Sequence, residues 1–343
     1  MKFAKQIKSI DRRLFSLRKK YNFLNKLYNH ILKINIHNSF YSNSKKDDLT
    51  EKAKLSLYHL LKPTNESEII NKEIPKIIWI YWNSGFENAP DVVRKSVDSW
   101  RNLNPDYQVN LLCDDNLNDY LDFKFYDAFY LSTVHCLPAI KSDLLRLYLL
   151  SQYGGIWADA TTFCLNPLSN WLDDNSKHCN IFLFKHEDNN TRPIEVWFIA
   201  SPKASAIICK TLQSLCLHIF KERFLSLYVT GKPSVTNQAM YGKNIPQGKQ
   251  TILKAELLGF MPYFTTGYMF YHEASDLLTN EQLSILLRED PLKVMINTHA
   301  LTKDSIEKFK YSFISKQTYS KSYLQSKLYK ERVSILDKRK VLK

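Results

Sequence analysis

Between Ala139 and Phe163 the chain reads AIKSDLLRLYLLSQYGGIWADATTF, and no other stretch limits its fold so tightly. Leu144, Leu145, Leu147, Tyr148, Leu149 and Leu150 cover every direction of a 3.6-residue period, which predicts a helix buried nearly all round. That helix also carries Asp143 and Arg146, three apart and therefore on one face. Charge inside a protein is costly unless it is paired or faces a polar cavity. Gly154 suits the position just past a helix end, and Gly155 lets the backbone turn tightly into Ile156-Trp157-Ala158, a short apolar run of strand character. Asp159 follows at once, at the carboxyl end of that strand. Buried helix, glycine turn, buried strand and terminal carboxylate predict an open α/β sheet that offers an acid to a ligand crevice. Singly, the residues are ordinary: Asp143 and Arg146 read equally as a helical ion pair, and Asp159 as a turn residue.

In this order and spacing the residues resemble the nucleotide-sugar glycosyltransferases of the GT-A type. The resemblance is to glycosyltransferase family 32 and the related bacterial capsular polysaccharide synthesis proteins. Those families carry a Ser-Asp-x-x-Arg helix, a Tyr-Gly-Gly turn and a strand ending in an Asp-x-Asp metal motif. The matching positions are Ser142, Asp143, Arg146, Tyr153, Gly154, Gly155 and Asp159. One position departs: the motif reads Asp159-Ala160-Thr161, as in the capsule-synthesis branch, so the second carboxylate is a hydroxyl. A threonine oxygen ligates a hard cation more weakly than a carboxylate does.

The resemblance implies a GT-A-type, Rossmann-like domain with a mostly parallel central sheet, and Asp143, Arg146 and Asp159 as catalytic residues. It also implies a divalent cation, Mn2+ or Mg2+, held by Asp159 and Thr161 with His299 from the last strand of the fold. A UDP-sugar is the implied donor, a glycan or lipid-linked glycan the acceptor, and transfer is expected to retain the anomeric configuration. The domain opens on Ile74–Trp82, a continuous apolar run that suits a central strand. Tyr81, Trp82 and Asn83 at its carboxyl end are candidate donor contacts, with Tyr153 and Gly155 from the turn. Trp79 reads equally as core, Trp82 less so. Gly231–Gln238 places a turn before a helix whose start suits anions, which makes Asn237 and Gln238 further donor candidates; a plain capped helix fits as well. Glu187 and Asp188 lie in a polar loop suited to a sugar. Asp114-Asp115 reads as a strand end or as a helix cap.

Charge divides the chain. Residues 1–33 hold ten Lys or Arg against one Asp, and residues 316–343 hold nine against two acids, so a formal charge of +14 leaves the middle near neutral. The expected plan is a basic helical extension over 1–70, a catalytic domain over 71–305 and a basic helical tail over 306–343. In the first arm Phe3, Ile10, Leu17, Leu24 and Ile31 recur every seven residues, with Ile7, Leu14, Tyr21 and Tyr28 between them. That stripe fits packing on the protein's own body, an amphipathic helix on anionic lipid, or a coiled coil. Asn35–Asn71 reads as a tether with a helical piece near Leu49–Leu61.

Six cysteines show no Cys-x-x-Cys spacing and no apolar run approaches membrane-spanning length, so a reducing, cytoplasmic location is expected, peripheral at the inner membrane face if the arms bind lipid. The basic ends also raise a nucleic-acid reading, which the near-neutral middle disfavours. A non-catalytic glycan-assembly protein with a degenerate metal motif is the remaining alternative.

Overall fold

Ile78 and Ile80 turn to one side of a strand and Trp79 and Tyr81 to the other, and all four are buried. The run after Pro75 is therefore an interior strand, as its unbroken apolar sequence predicts. The computed structural model describes residues 43–62, 73–185, 193–223, 226–231, 248–287 and 306–341. The heptad stripe before residue 43 lies outside them, as do Glu187, Asp188, Asn237, Gln238 and His299.

In chain order, α1 (Asn43–Leu61) precedes β1 (Ile77–Tyr81), α2 (Asp91–Leu103) and β2 (Gln108–Leu112). The two-residue β3 (Val134–His135) leads into α3 (Pro138–Tyr153), β4 (Gly155–Ala158) and β5 (Thr162–Cys164). After α4 (Leu172–Ser176) come β6 (Phe182–Lys185), β7 (Ile194–Ser201), α5 (Ala206–Phe220) and β8 (Leu227–Thr230). Then follow α6 (Gly248–Leu257), β9 (Phe260–Pro262), α7 (Thr265–Leu277) and α8 (Asn280–Leu287). The last described segment holds α9 (Ile306–Tyr311), β10 (Ile314–Lys316), α10 (Lys321–Leu324) and α11 (Lys327–Val341).

The central sheet has the order β2-β1-β4-β7-β6. β2, β1 and β4 are parallel, β7 runs against β4, and β6 runs against β7, so four of the five strands share one direction. This is the α/β class read from the sequence. Strand alternation splits the core in two. Trp79, Tyr81 and Trp157 pack with α3 and α5 on one face, while Ile78, Ile80, Ile156 and Ala158 pack with α2 and α11 on the other. The reversals of sequence number along the sheet leave a crevice at the carboxyl ends of β1 and β4, where ligands bind in open sheets of this kind.

The glycine pair earns its place by contact rather than by ligand binding. Gly155 has φ +91°, and a Cβ there would lie 2.6 Å from the Ile77 carbonyl oxygen on β1. Gly154 has φ +67°, and its Cβ would lie 2.5 Å from the Lys203 nitrogen. β4 thus enters between its neighbours at a point with no room for a side chain. Gly155→Ala is expected to lower stability by about 2–3 kcal/mol, from left-handed backbone strain and the clash together. The check is the urea unfolding midpoint at unchanged slope.

Both flanking segments are more integrated than their composition predicts. The helical piece of the tether starts earlier than expected, at Asn43, and rests on the 3₁₀ turns of Phe125–Leu131. There Ala53 and Leu60 are buried and Ser56 Oγ donates to the Lys124 carbonyl at 2.9 Å. The basic tail expected from residue 306 is, over its described residues, part of the body. β10 pairs antiparallel with β5, with Lys316 opposite Thr162. α11 packs along α2, where Lys95 meets Asp337 at 2.8 Å and the Tyr329 hydroxyl donates to Asp91 at 2.7 Å. Tyr323, Tyr329 and Leu336 are buried, and so is Arg332, whose guanidinium lies over the Phe309 ring 5.4 Å from its centroid and donates to the Tyr323 hydroxyl at 3.2 Å. The segment thus packs through its apolar residues and one buried cation. Among the described residues no helix is long and apolar enough to cross a membrane.

Candidate active site

A cleft of about 470 Å³ opens at the carboxyl ends of β1 and β4. Tyr81, Trp82 and Asn83 line it from β1, and Asp159, Ala160 and Thr161 from β4. The start of α3 adds Pro138, Ala139 and Ser142, and Tyr263, Phe264 and Thr266 come from the start of α7. Glu195 and Trp197 of β7 and Lys316 to Tyr319 close the remaining sides.

Four charges lie at its floor. Arg146 donates from Nη1 to Asp143 Oδ1 and from Nη2 to Asp159 Oδ1, both at 2.7 Å. Asp143 takes a second bond on Oδ2 from Thr266 Oγ1 at 2.7 Å. Asp159 Oδ1 also accepts from Trp157 Nε1 at 2.8 Å, and its Oδ2 accepts from Lys316 Nζ at 2.5 Å. The Arg146 guanidinium lies over the Trp157 ring, 5.1 Å from its centroid. The helical ion pair read from the sequence is therefore real, but it is one side of a larger network that bridges helix, strand and the C-terminal segment. Burial works to raise the Asp159 carboxyl, yet Lys316 and Arg146 outweigh it and hold it below the ordinary carboxylate value. For Asp143 burial wins against Arg146 and Thr266, and the carboxyl sits above its ordinary value. Burial, with Asp143 and Asp159 adding to it, pushes the Tyr263 phenol up to about 12.

Of the residues singled out from the sequence, Asp143, Arg146, Asp159, Thr161, Tyr81, Trp82 and Asn83 meet at this cleft. Tyr153 and Gly155 do not. They sit at the opposite, amino end of β4, where the Tyr153 hydroxyl donates to the Tyr120 carbonyl at 2.9 Å and Gly155 abuts Ile77. Trp79 is core, its Nε1 bonded to the Gly154 carbonyl at 2.9 Å. The Tyr81 hydroxyl is engaged by Asp114 and by Tyr126 at 2.7 Å, and the Tyr126 hydroxyl also donates to Asp114. Asp114 thus anchors two phenols just past the end of β2, and Asn116, which precedes the 3₁₀ turn Leu117–Asp119, does not cap it: its Oδ1 accepts from the Cys113 N–H at 2.7 Å. Sequence reasoning passed over Lys316, Tyr319, Thr266 and Tyr263. The sequence around Lys316 offers only the apolar pair Phe313-Ile314 ahead of it, too short to mark a strand in a basic segment.

The resemblance puts a divalent cation on Asp159, Thr161 and His299, the last of which lies outside the described residues. Both Asp159 oxygens already take donors from Arg146, Trp157 and Lys316. No group of three or more His, Cys, Asp or Glu side chains able to hold a metal occurs among the described residues. The buried cleft atoms without a partner, Arg146 Nε and Trp197 Nε1, are both donors, whereas a cation needs lone pairs. With both Asp159 oxygens taken by N–H donors, a divalent metal at this carboxylate would have to displace Lys316 or Arg146.

Residues 16–232 match the family model described as capsular polysaccharide synthesis protein, more than half of the chain. The chain belongs to that family. The match takes in α3, the glycine pair and Asp159, and it starts well before β1. Curated relatives of the chain include the O-glycosyltransferase braB of Annulohypoxylon truncatum, 35% identical over 97 residues, which are 26% of this chain and 23% of that one. The initiation-specific alpha-1,6-mannosyltransferase of Saccharomyces cerevisiae is 30% identical over 113 residues, 31% of this chain and 24% of the relative. Inositol phosphoceramide mannosyltransferase 1 of Schizosaccharomyces pombe is 27% identical over 189 residues, 53% and 54% of the two chains. The chain thus spans about a quarter to a half of the length of these relatives.

Proposed function

We propose that this family member transfers a sugar from a nucleotide-sugar donor, a UDP-sugar, to a growing lipid-linked surface polysaccharide such as capsule. The observation that carries the reading is the Asp143–Arg146–Asp159–Lys316 cluster on the floor of a cleft at the carboxyl ends of parallel strands. Family membership and relatives named as glycosyltransferases support it. In the reaction the bond from the sugar's anomeric carbon to the phosphate oxygen breaks, and its electron pair leaves with the diphosphate. The acceptor hydroxyl oxygen forms the new bond on the same face, and its proton passes to the departing phosphate oxygen, so configuration is retained. Negative charge grows on the diphosphate, and N–H donors fixed beforehand are what such a charge requires.

Arg146 and Lys316 supply cationic donors held in place by Asp159. Pro138, Ala139 and Ser142 bring the first turn of α3 to the cleft wall, where the positive end of the helix dipole attracts phosphate although the Ile140 and Lys141 N–H groups already donate to the Leu137 carbonyl. Asp143, with both oxygens engaged, positions Arg146 and keeps spare lone pairs for a sugar hydroxyl. Trp82 and Tyr319 meet edge to face with centroids 5.4 Å apart, and an exposed ring of this kind suits stacking of a base. Residues 1–33, rich in Lys and Arg, would hold the enzyme at anionic lipid on the cytoplasmic face, near its acceptor.

Titration of tryptophan fluorescence with UDP-, GDP- and CMP-sugars tests the reading. A saturable change with one nucleotide class is expected, and Tyr319→Ala should weaken it about tenfold, the effect of losing one stacked ring. No saturable response to any nucleotide sugar would end this assignment.

A further inference from the structure

We propose that Lys316 holds the donor's diphosphate in the place that the Asp-x-Asp motif gives to a divalent cation. The inference rests on the transferase reading above, and its test separates the two. Lys316 Nζ lies 2.5 Å from Asp159 Oδ2, the acid at the first motif position, and the side chain lines the cleft. An ammonium has three donors and Asp159 takes one, so the others serve ligand oxygens.

Charge balance points the same way. Two carboxylates with a divalent cation sum to zero. Asp159 alone, with Thr161 in the second position, sums to zero with a single ammonium. A divalent ion added to the described residues would have to displace Lys316 and sit against Arg146, like charge beside like charge.

The lysine is held by built structure rather than by a loose tail. β10 pairs with β5 directly after the motif, and the Gln317 N–H donates to the Thr161 carbonyl at 2.7 Å, so the backbone on both sides of the ammonium is tied to Thr161 and Thr162. The Gln317 side chain is locked in turn: its Nε2 donates to Ser315 Oγ at 2.7 Å, and the buried Tyr323 hydroxyl donates to its Oε1 at 2.5 Å. A cation delivered this way is fixed relative to Asp159 before any ligand arrives, which is the requirement for electrostatic stabilisation of a leaving group.

Calorimetric titration with UDP and with inorganic pyrophosphate, each in chelator and in Mn2+, tests this in the full chain. Wild type should bind UDP within about twofold equally in both conditions, and Mn2+ alone should leave its melting temperature unchanged. Lys316→Met should weaken UDP and pyrophosphate in chelator by about 10- to 100-fold, the range for a hydrogen bond to a charged group. Lys316→Arg, which keeps the charge, should retain most of the affinity. Equal uridine binding by wild type and Lys316→Met would show that the variant is folded and that the loss is at the phosphates. UDP binding that requires Mn2+ and ignores Lys316→Met overturns the lysine's role and leaves the transferase reading intact. Absence of both UDP and pyrophosphate binding by wild type in both conditions overturns the lysine's role, and the transferase reading falls with it only if no nucleotide sugar binds either.

Discussion

Arg146→Met is expected to lower folding stability by about 3–5 kcal/mol, the range for breaking a buried ion pair by deleting one partner. The side chain of Arg146 is 4% exposed and bonds two acids, whose side chains are 12% and 25% exposed. Methionine fills the volume but leaves Asp143 and Asp159 facing one another with one fewer cation. Asp143 already sits above its ordinary carboxyl value with Arg146 in place, so losing that partner raises it further. A carboxyl raised in the folded state binds protons more tightly there than in the unfolded chain. Its folded form therefore gains stability as pH falls and loses it as pH rises. Part of the deficit in Arg146→Met should accordingly return between pH 7 and pH 4, read as a rise in the urea midpoint relative to wild type. A variant with wild-type stability at pH 7 would mean that the network is not buried as described.

Asp159→Asn should reduce the rate of transfer by at least about 10²–10³-fold, the range for loss of one preorganised electrostatic group. The amide matches the carboxylate in shape, and its oxygen still accepts from Arg146 Nη2 and Trp157 Nε1. Its nitrogen, however, is a donor set against the Lys316 ammonium, itself only a donor. Lys316 then loses its anchor and the floor of the cleft carries an extra positive charge. The donor is expected to bind at least as well, because that charge attracts the diphosphate, while turnover falls because the cation is no longer held where charge develops. Initial rates at saturating donor, beside an equilibrium titration of the same variant, separate the two effects.

The residues legible in advance are those whose neighbours in space are neighbours in sequence. Asp143 and Arg146 share a helix face by their spacing, and Asp159 follows a strand that Gly154 and Gly155 start, so the local pattern was enough to bring three of the four charges together. Lys316 reaches Asp159 through a strand pairing that spans some 150 positions, and a three-residue strand in a lysine-rich segment leaves almost no periodic signal. The basic composition of the C-terminal segment concealed Tyr323, Tyr329 and Leu336, which set its packing. Tyr153 and Gly155 lie within the motif, yet Gly155 opens β4 and Tyr153 precedes it, so both stand at the far end of a four-residue strand from the crevice. Sequence proximity to Asp159 ran along the strand, away from the cleft.

Release of free nucleoside diphosphate from a panel of UDP-, GDP- and CMP-sugars is the measurement to make first, on wild type and Asp159→Asn, with chelator and with Mn2+. Chelator-resistant release from one donor, lost in Asp159→Asn, is the expected result and fixes the cleft as the site of sugar transfer. Equal release by wild type and Asp159→Asn would contradict the assignment of the reaction to the Asp143–Arg146–Asp159–Lys316 cluster.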